Sequence, residues 1–387
     1  MQLVKIKKMK KSKLIASFFA FFIMILQFFN VKCAVFAGAL AGGNEITDAK
    51  SFVTIEASTG RVLYEKDKNK KLPMASTTKI ITAIVALENH KDLDKKYLIT
   101  KEMTGVEGSS IYLKAGEHLS VRDLLYGLML RSGNDSAVAI AIIVGGSVQR
   151  FVQMMNEFCL RVGACDTHIV TVNGLHDDEH YSTAEDLAKI TAYAYKNEEF
   201  KTIVGTKEKV ISSDLDQIYK CRLLKNKNKL LKMVDDADGV KTGYTKKAGK
   251  CFVGSACRNG MRIICVALGA KTMFDDSAKF IEKAFKEYRM VKLFKSGEIV
   301  GGETKTQNGS IYLKNDIIYP LSSAEISKIN AKAEIFDSPN KDGEIGALDF
   351  RIENDLLFSV KLFTIIIEKN GAENGFKSRL SKIIKSF

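Results

Sequence analysis

Pro73-Met74-Ala75-Ser76-Thr77-Thr78-Lys79-Ile80-Ile81-Thr82-Ala83-Ile84-Val85-Ala86-Leu87 is the stretch on which the fold turns. Ser76 and Lys79 are three residues apart, so on a helix both side chains leave one face, one turn from each other. Ile80, Ile81, Ala83, Ile84, Val85 and Leu87 make the segment apolar almost all round, as in a helix buried in a core. Burial has a chemical consequence here. It disfavours an ammonium and lowers a lysine pKa, and only a neutral amine can relieve a serine hydroxyl of its proton. A serine at the start of such a helix also has free backbone N–H groups beside it, aimed at the carbonyl it would attack. The stretch therefore reads as a nucleophile, Ser76, and its base, Lys79, carried by a core helix.

Two more motifs follow in order: Ser132-Gly133-Asn134 within Leu130-Arg131-Ser132-Gly133-Asn134-Asp135, and Lys241-Thr242-Gly243 within Asp238-Gly239-Val240-Lys241-Thr242-Gly243-Tyr244-Thr245. S-x-x-K, S-x-N and K-T-G in that order form one catalytic set. With these flanks the chain resembles the low-molecular-weight D-alanyl-D-alanine carboxypeptidases, which are penicillin-binding proteins, from about Glu45 into its C-terminal third.

The resemblance implies an α/β (α+β) fold: a penicillin-binding-protein/β-lactamase-like domain with an antiparallel sheet flanked by helices, plus a small C-terminal all-β domain. It implies removal of the terminal D-alanine from peptidoglycan stem peptides through an acyl-enzyme on Ser76, blocked covalently by β-lactams, with no cofactor and no metal. It also implies residue roles. Ser132 relays a proton toward the leaving D-alanine, and Asn134 binds substrate backbone and helps hold Lys79. Lys241 and Thr242 attract the terminal carboxylate, and the backbone N–H groups of Ser76 and Tyr244 form the oxyanion hole. Gly243 belongs on an edge strand that the substrate joins as an added strand, because a side chain would block that approach.

Look-alikes and rivals are weaker. Ser338-Pro339-Asn340-Lys341 repeats the first motif in a turn-rich stretch, and Lys295-Ser296-Gly297 mimics the third with no suitable hairpin after it. A class A β-lactamase needs an E-x-x-L-N segment to deacylate quickly, and Glu157, Glu185 and Glu198 all fail that pattern. His176-Asp177-Asp178-Glu179-His180 places two histidines four apart but lacks H-E-x-x-H and sits in a loop-like stretch. A non-catalytic wall-binding protein would not need intact Ser76, Lys79, Ser132 and Lys241. An endopeptidase acting on crosslinks is the nearest alternative. Relatives often carry an arginine a little over thirty residues beyond the third motif; here Lys271-Thr272-Met273-Phe274-Asp275-Asp276 offers Lys271 as the cation in that region.

Lys5, Lys7, Lys8, Lys10, Lys11 and Lys13 precede an apolar run from Leu14 to Phe29, and Val35-Phe36-Ala37 supplies small residues for cleavage. Residues 1–37 thus read as a secretory signal, and the run is shorter than the ~20 residues of a membrane span. Asn30-Val31-Lys32 before Cys33 argues against a lipid-modified cysteine. Those 37 residues hold seven lysines and no acid, so the formal +14 of the chain falls to +7 after cleavage. That is a moderately basic exported protein suited to anionic surfaces and wall polymers, without a nucleic-acid module.

Pattern shifts divide the remainder. Phe52–Ile55 and Arg61–Tyr64 flank Ser58-Thr59-Gly60 as an opening hairpin, and Ser182-Thr183-Ala184-Glu185 reads as a capping box. Asn259-Gly260 turns a second hairpin that sets Cys265 opposite Gly254, on the other face from Cys251 and Cys257. Buried thiols rather than bridges are expected. A closing helix over Ser277 to Tyr288 ends a catalytic domain of residues 45–288. Short strands at Val291–Phe294, Ile311–Leu313, Ala333–Phe336 and Leu356–Ile367 mark a β-domain of residues 290–370. In residues 372–387, Phe376, Leu380, Ile383, Ile384 and Phe387 recur at helical spacing among Lys377, Arg379, Lys382 and Lys385. This is a basic amphipathic helix suited to a membrane interface, placing the protein peripherally on the outer face of the cytoplasmic membrane.

Overall fold

The computed structural model describes residues 47–215, 221–297, 309–336, 340 and 342–366. The leader (residues 1–37) and the terminal segment (residues 372–387) lie outside the described residues. The chain opens with a hairpin, β1 (Ser51–Glu56) and β2 (Val62–Lys66), whose turn is tied by Ser58 and Thr59 donating to the Glu56 carboxylate. A 3-10 turn over Ala75–Thr78 runs into α1 (Lys79–Asn89). Next, β3 (Lys96–Leu98) pairs with β4 (His118–Ser120). The helices α2 (Val121–Leu130), α3 (Asn134–Gly145), α4 (Val148–Arg161), α5 (Ala184–Ala194) and α6 (Glu198–Gly205) follow. A hairpin of β5 (Glu208–Ser212) and β6 (Cys221–Lys225) and a short α7 (Leu230–Met233) lead into β7 (Ala237–Thr245), β8 (Gly249–Arg258), β9 (Met261–Ala270) and α8 (Met273–Glu287).

Five strands form one antiparallel sheet in the order β2-β1-β9-β8-β7, so the opening strands join the closing ones and β7 is an edge. Alternation along the strands gives the sheet two cores. Val53, Ile55, Val253, Ile264 and Val266 pack under the helical layer around α1, which is buried from Lys79 to Ala86. Phe52, Phe252, Cys265 and Ala267 face the other way, onto Phe280, Ile281 and Ala284 of α8. The Asn259-Gly260 turn has both residues at positive φ (50° and 79°), as a type I′ hairpin requires. Cys265 pairs across it with Gly254 and lies in the α8 core, whereas Cys251 lies in the helical one and Cys257 is only half-buried; Cys159, Cys221, Cys251, Cys257 and Cys265 are free thiols.

Several boundaries differ from the sequence reading. Thr183, not Ser182, caps α5: its hydroxyl accepts from Asp186 N, while Ser182 is bridged to Leu72 through its backbone and to Thr167 through its hydroxyl. α8 starts at Met273, four residues earlier than read, with Asp275 and Asp276 in its first turn where acids complement the helix dipole.

The C-terminal region contains two strands the sequence reading missed, β12 (Ile317–Ser322) and β14 (Glu344–Ile352), beside β10 (Tyr288–Phe294), β11 (Gly309–Tyr312), β13 (Ile329–Ile335) and β15 (Asp355–Ile366). Pro320 masked β12, yet it is tolerated because the β10–β12 pair has no further neighbour to require its N–H. Gly346, Asp349 and Arg351 broke the apolar pattern of β14. The four remaining strands form a sheet in the order β11-β15-β14-β13.

Arg61, at the mouth of β2, ties this region to the first sheet. Its guanidinium donates to Pro320 O and to both Glu325 oxygens, and lies 5.3 Å from the ring centroids of Tyr288 and of Tyr319. Glu325 closes a capping box with Ser322 on a short helix, α9 (Ser323–Ile326). Both partners are largely shielded, with side-chain exposures of 6% and 13%. Arg61→Ala should therefore leave a largely buried carboxylate without its cation and cost about 3 kcal/mol. Calorimetry should show the C-terminal region melting earlier than in the parent; an unshifted transition would refute the clamp.

Candidate active site

The turn over Ala75–Thr78 sets the site. Ala75 has φ of +49°, and the Thr77 and Thr78 hydroxyls donate back to Met74 O (2.6 Å) and Ala75 O (2.7 Å). Two glycines pack flush against it. A Cβ on Gly174 would fall 2.0 Å from Ala75 O, and one on Gly243 would fall 2.9 Å from Ser76 N. The K-T-G strand thus runs directly beside the S-x-x-K turn, and a side chain at either glycine would force them apart.

Lys79 is fully buried, and its Nζ lies 3.0 Å from Ser76 Oγ. The same nitrogen donates to Asn134 Oδ1 at 2.7 Å and to the backbone carbonyl of Asn173. A neutral amine has two hydrogens and one lone pair; two carbonyl oxygens occupy the hydrogens, and the lone pair is left toward Ser76. Burial, then the positive charge of Lys241, hold the Lys79 amine well below the ordinary lysine range, with Asp135 opposing.

Ser132 is 5% exposed and has φ of +65°, in the loop between α2 and α3 closed by Gly133 N donating to Gly127 O. Asn134 is fixed at three points: its N donates to Ser109 O, its Nδ2 to Glu107 O, and its Oδ1 accepts from Lys79. Gly108 makes room for that amide, since a Cβ there would lie 2.7 Å from Nδ2.

Lys241 is buried with its Nζ on Thr242 O (2.8 Å), and burial, then the charge of Lys227, push its pKa down to about 7. Tyr244 is 67% exposed at the strand's far end. The structure thus gathers Ser76, Lys79, Asn134 and Gly243 in direct contact, with Ser132, Lys241, Thr242 and Tyr244 on the flanking loop and strand. Lys271 stands elsewhere. It follows β9, two strands in from β7 and level with Tyr244, roughly 10 Å from the edge at the usual strand spacing and away from the Lys241 end.

Four supporting residues escaped the sequence reading. Asn173 contributes through its carbonyl, which no side-chain pattern reveals. Asp135 is buried and accepts from Ser110 Oγ, Ile111 N and Leu113 N, fastening the 107–113 loop beside Asn134; its place next to Asn134 was the available signal. Lys227 hangs from Leu130 O by its backbone N–H, with Nζ 3.5 Å from Ser109 Oγ, and adds positive charge near Lys79 and Lys241. His180 was read as half of a weak metal pair, but its ring serves the fold. Nδ1 accepts from Val170 N (3.0 Å) and Thr171 N (3.3 Å), so Nε2 carries the proton to Thr78 Oγ1 at 2.8 Å. His176 faces Asp178 instead, and no group of three or more metal-ligating side chains occurs among the described residues.

A family model described as D-alanyl-D-alanine carboxypeptidase matches residues 40–272. The chain is 34% identical to the D-alanyl-D-alanine carboxypeptidase DacF of Bacillus subtilis (strain 168) over 84% of this chain and 82% of that one. Among solved structures it is similar to penicillin binding protein 5 from Haemophilus influenzae (TM-score 0.74, 25% identity, covering 84% of this chain and 99% of that one). It is likewise similar to the D-alanyl-D-alanine carboxypeptidase DacD from Francisella tularensis (TM-score 0.71, 26% identity, covering 88% of this chain and 98% of that one).

His180 generates a pH prediction. Burial pushes its pKa down to about 4 from 6.5, so the folded protein keeps it neutral while the unfolded chain takes up a proton near 6.5. The resulting stability is complete above pH 6.5 and is lost as pH falls through the window toward 4, by about 3 kcal/mol in all. Urea midpoints measured across that window should fall more steeply for the parent than for His180→Gln; equal slopes would remove His180 from this role.

Proposed function

We propose, on the premise that the chain belongs to the D-alanyl-D-alanine carboxypeptidase family, that Ser76 is the nucleophile of this serine-type carboxypeptidase and Lys79 its base. The enzyme removes D-alanine from peptidoglycan peptides and binds β-lactams; the residue roles are our reading. The observation that carries it is the saturation of Lys79 by two carbonyl oxygens, with its remaining valence toward Ser76 at 3.0 Å.

The substrate joins β7 antiparallel at the open edge of the sheet. Ser76 Oγ attacks the carbonyl of the penultimate D-alanine as its proton passes to Lys79. The backbone N–H groups of Ser76 and Tyr244 receive the developing oxyanion, a contribution of roughly 3–4 kcal/mol when such a donor is lost. Asn134 holds substrate backbone as well as Lys79. Lys241 and Thr242, with Lys227 behind them, draw the terminal carboxylate. Ser132 passes the proton to the departing D-alanine nitrogen, and water then hydrolyses the ester on Ser76. A β-lactam acylates the same oxygen.

Residues 45–288 form the catalytic domain in this reading, and residues 290–370 a β-domain that lifts it. Residues 1–37 direct export, and residues 372–387 bind the outer face of the cytoplasmic membrane. These assignments rest on the sequence pattern, and the envelope is where the substrate lies.

Four experiments test the reading. Ser76→Ala should abolish covalent labelling by a fluorescent penicillin with the fold intact, and Lys79→Ala should slow acylation by orders of magnitude at neutral pH. The parent should release free D-alanine from a D-Ala-D-Ala peptide in the presence of chelator; labelled Ser76→Ala, or release of peptide fragments alone, would overturn it. Deleting residues 376–387 should move processed protein from the membrane fraction to the soluble one with activity on a small peptide retained. A truncated protein that stays membrane-bound would point to the N-terminal segment as the anchor.

A further inference from the structure

Lys50, Lys246, Lys247, Lys250 and Lys271 are exposed at one end of the five-stranded sheet, the end where β7 delivers Tyr244 and Thr245. The register brings them together. Lys246 and Lys247 occupy the β7–β8 turn, which Ala248 N closes on Thr245 Oγ1 at 3.0 Å. Lys250 pairs across from Tyr244 on one side and Ala270 on the other, and its Nζ donates to Lys271 O at 3.1 Å. Lys50 lies along Gly269, where its Cδ would be 2.9 Å from an added Cβ.

Three acids share this end of the sheet, and two of them are engaged. Asp48 accepts from the backbone N–H groups of Lys271 and Thr272, and Asp276 accepts from the Thr47 and Thr272 hydroxyls; Asp275 is exposed on α8. Among the described residues, none of the five lysines forms an ion pair with a carboxylate. The rim keeps a positive surplus.

Direction gives the rim a ligand. A peptide paired antiparallel to β7, with its carboxyl end near Lys241 and Thr242, runs backward past Tyr244 and Thr245 and out over the Lys246-Lys247 turn. Gly243 to Lys246 is three residues, about 10 Å of strand. A carboxylate two or three residues upstream of the acylated residue arrives at the lysines.

We propose that this lysine rim is a subsite for carboxylates in the upstream part of the stem peptide, so that the enzyme selects longer acidic wall peptides over short neutral ones. The inference rests on the strand pairing proposed above. Its attraction is electrostatic and solvent-facing, so it acts on capture and fades with salt.

The test uses the processed enzyme and its Lys246→Gln/Lys247→Gln/Lys250→Gln variant on two D-Ala-D-Ala peptides: one short and neutral, one carrying acidic residues upstream. At low ionic strength the variant should lose about fivefold in kcat/KM on the acidic peptide, an effect that shrinks as salt is raised. The neutral peptide and penicillin acylation should be unaffected. Equal losses on both peptides, or no loss on the acidic one, would overturn the subsite. Failure of the parent to release D-alanine from either peptide would sink the Ser76 reading, and the subsite with it.

Discussion

Everything in this molecule depends on keeping one lysine dry. The amine of Lys79 sits at the head of a helix buried along most of its length, and the loss of hydration is the largest influence pushing it toward the neutral form. Two carbonyl oxygens then take the amine's hydrogens without returning the solvation an ammonium needs. The apolar residues Ile80, Ile81, Ala83 and Ile84 therefore have a chemical task as well as a packing one.

A dry lysine is useful only if three distant parts of the chain meet around it, and close backbone approach is how they do so. Gly243 lets the edge strand touch the Ser76 turn, and Gly174 lets the 171–175 loop bring the Asn173 carbonyl to Lys79. Such contacts fail if either partner shifts, so each is fastened from behind. His180 ties the backbone at Val170 and Thr171 to Thr78. Asp135 ties the 110–113 backbone to the head of α3. Asp238, held by the Tyr195 hydroxyl and by Arg262, steadies the approach of β7.

What was legible in the sequence follows from this division. Features set by side-chain spacing could be read: Ser76 and Lys79 one turn apart, the edge strand with Gly243, and the Asn259-Gly260 hairpin with Cys265 opposite Gly254. Groups that act through the backbone or through tertiary contact could not. The Asn173 carbonyl has no side-chain signature, and the structural role of His180 was hidden because its partners, Val170, Thr171 and Thr78, are distant in sequence or are main chain. Local rules also failed where tertiary bonds overrode them. Ser182 fits a capping box, but its hydroxyl is claimed by Thr167, and the cap passes to Thr183. In the C-terminal region β12 carries Pro320, which the two-stranded pairing of β10 with β12 accommodates.

The grouping of cations in the cleft completes the argument. Lys79, Lys241 and Lys227 lie near enough for each added charge to press on the next, and Lys241 is left with a pKa of about 7. Half of the Lys241 amines are then neutral near that pH. A substrate carboxylate entering beside Lys241 favours its charged form and draws a proton onto it. The carboxylate's own negative charge offsets the positive charge so gained, so the field at Lys79 does not become more positive. On the proposed reading, binding of the anionic end charges the lysine that holds the substrate, while burial, the largest influence on Lys79, continues to hold that amine toward its neutral form. Both conditions follow from one desolvated site, and neither needs a moving part.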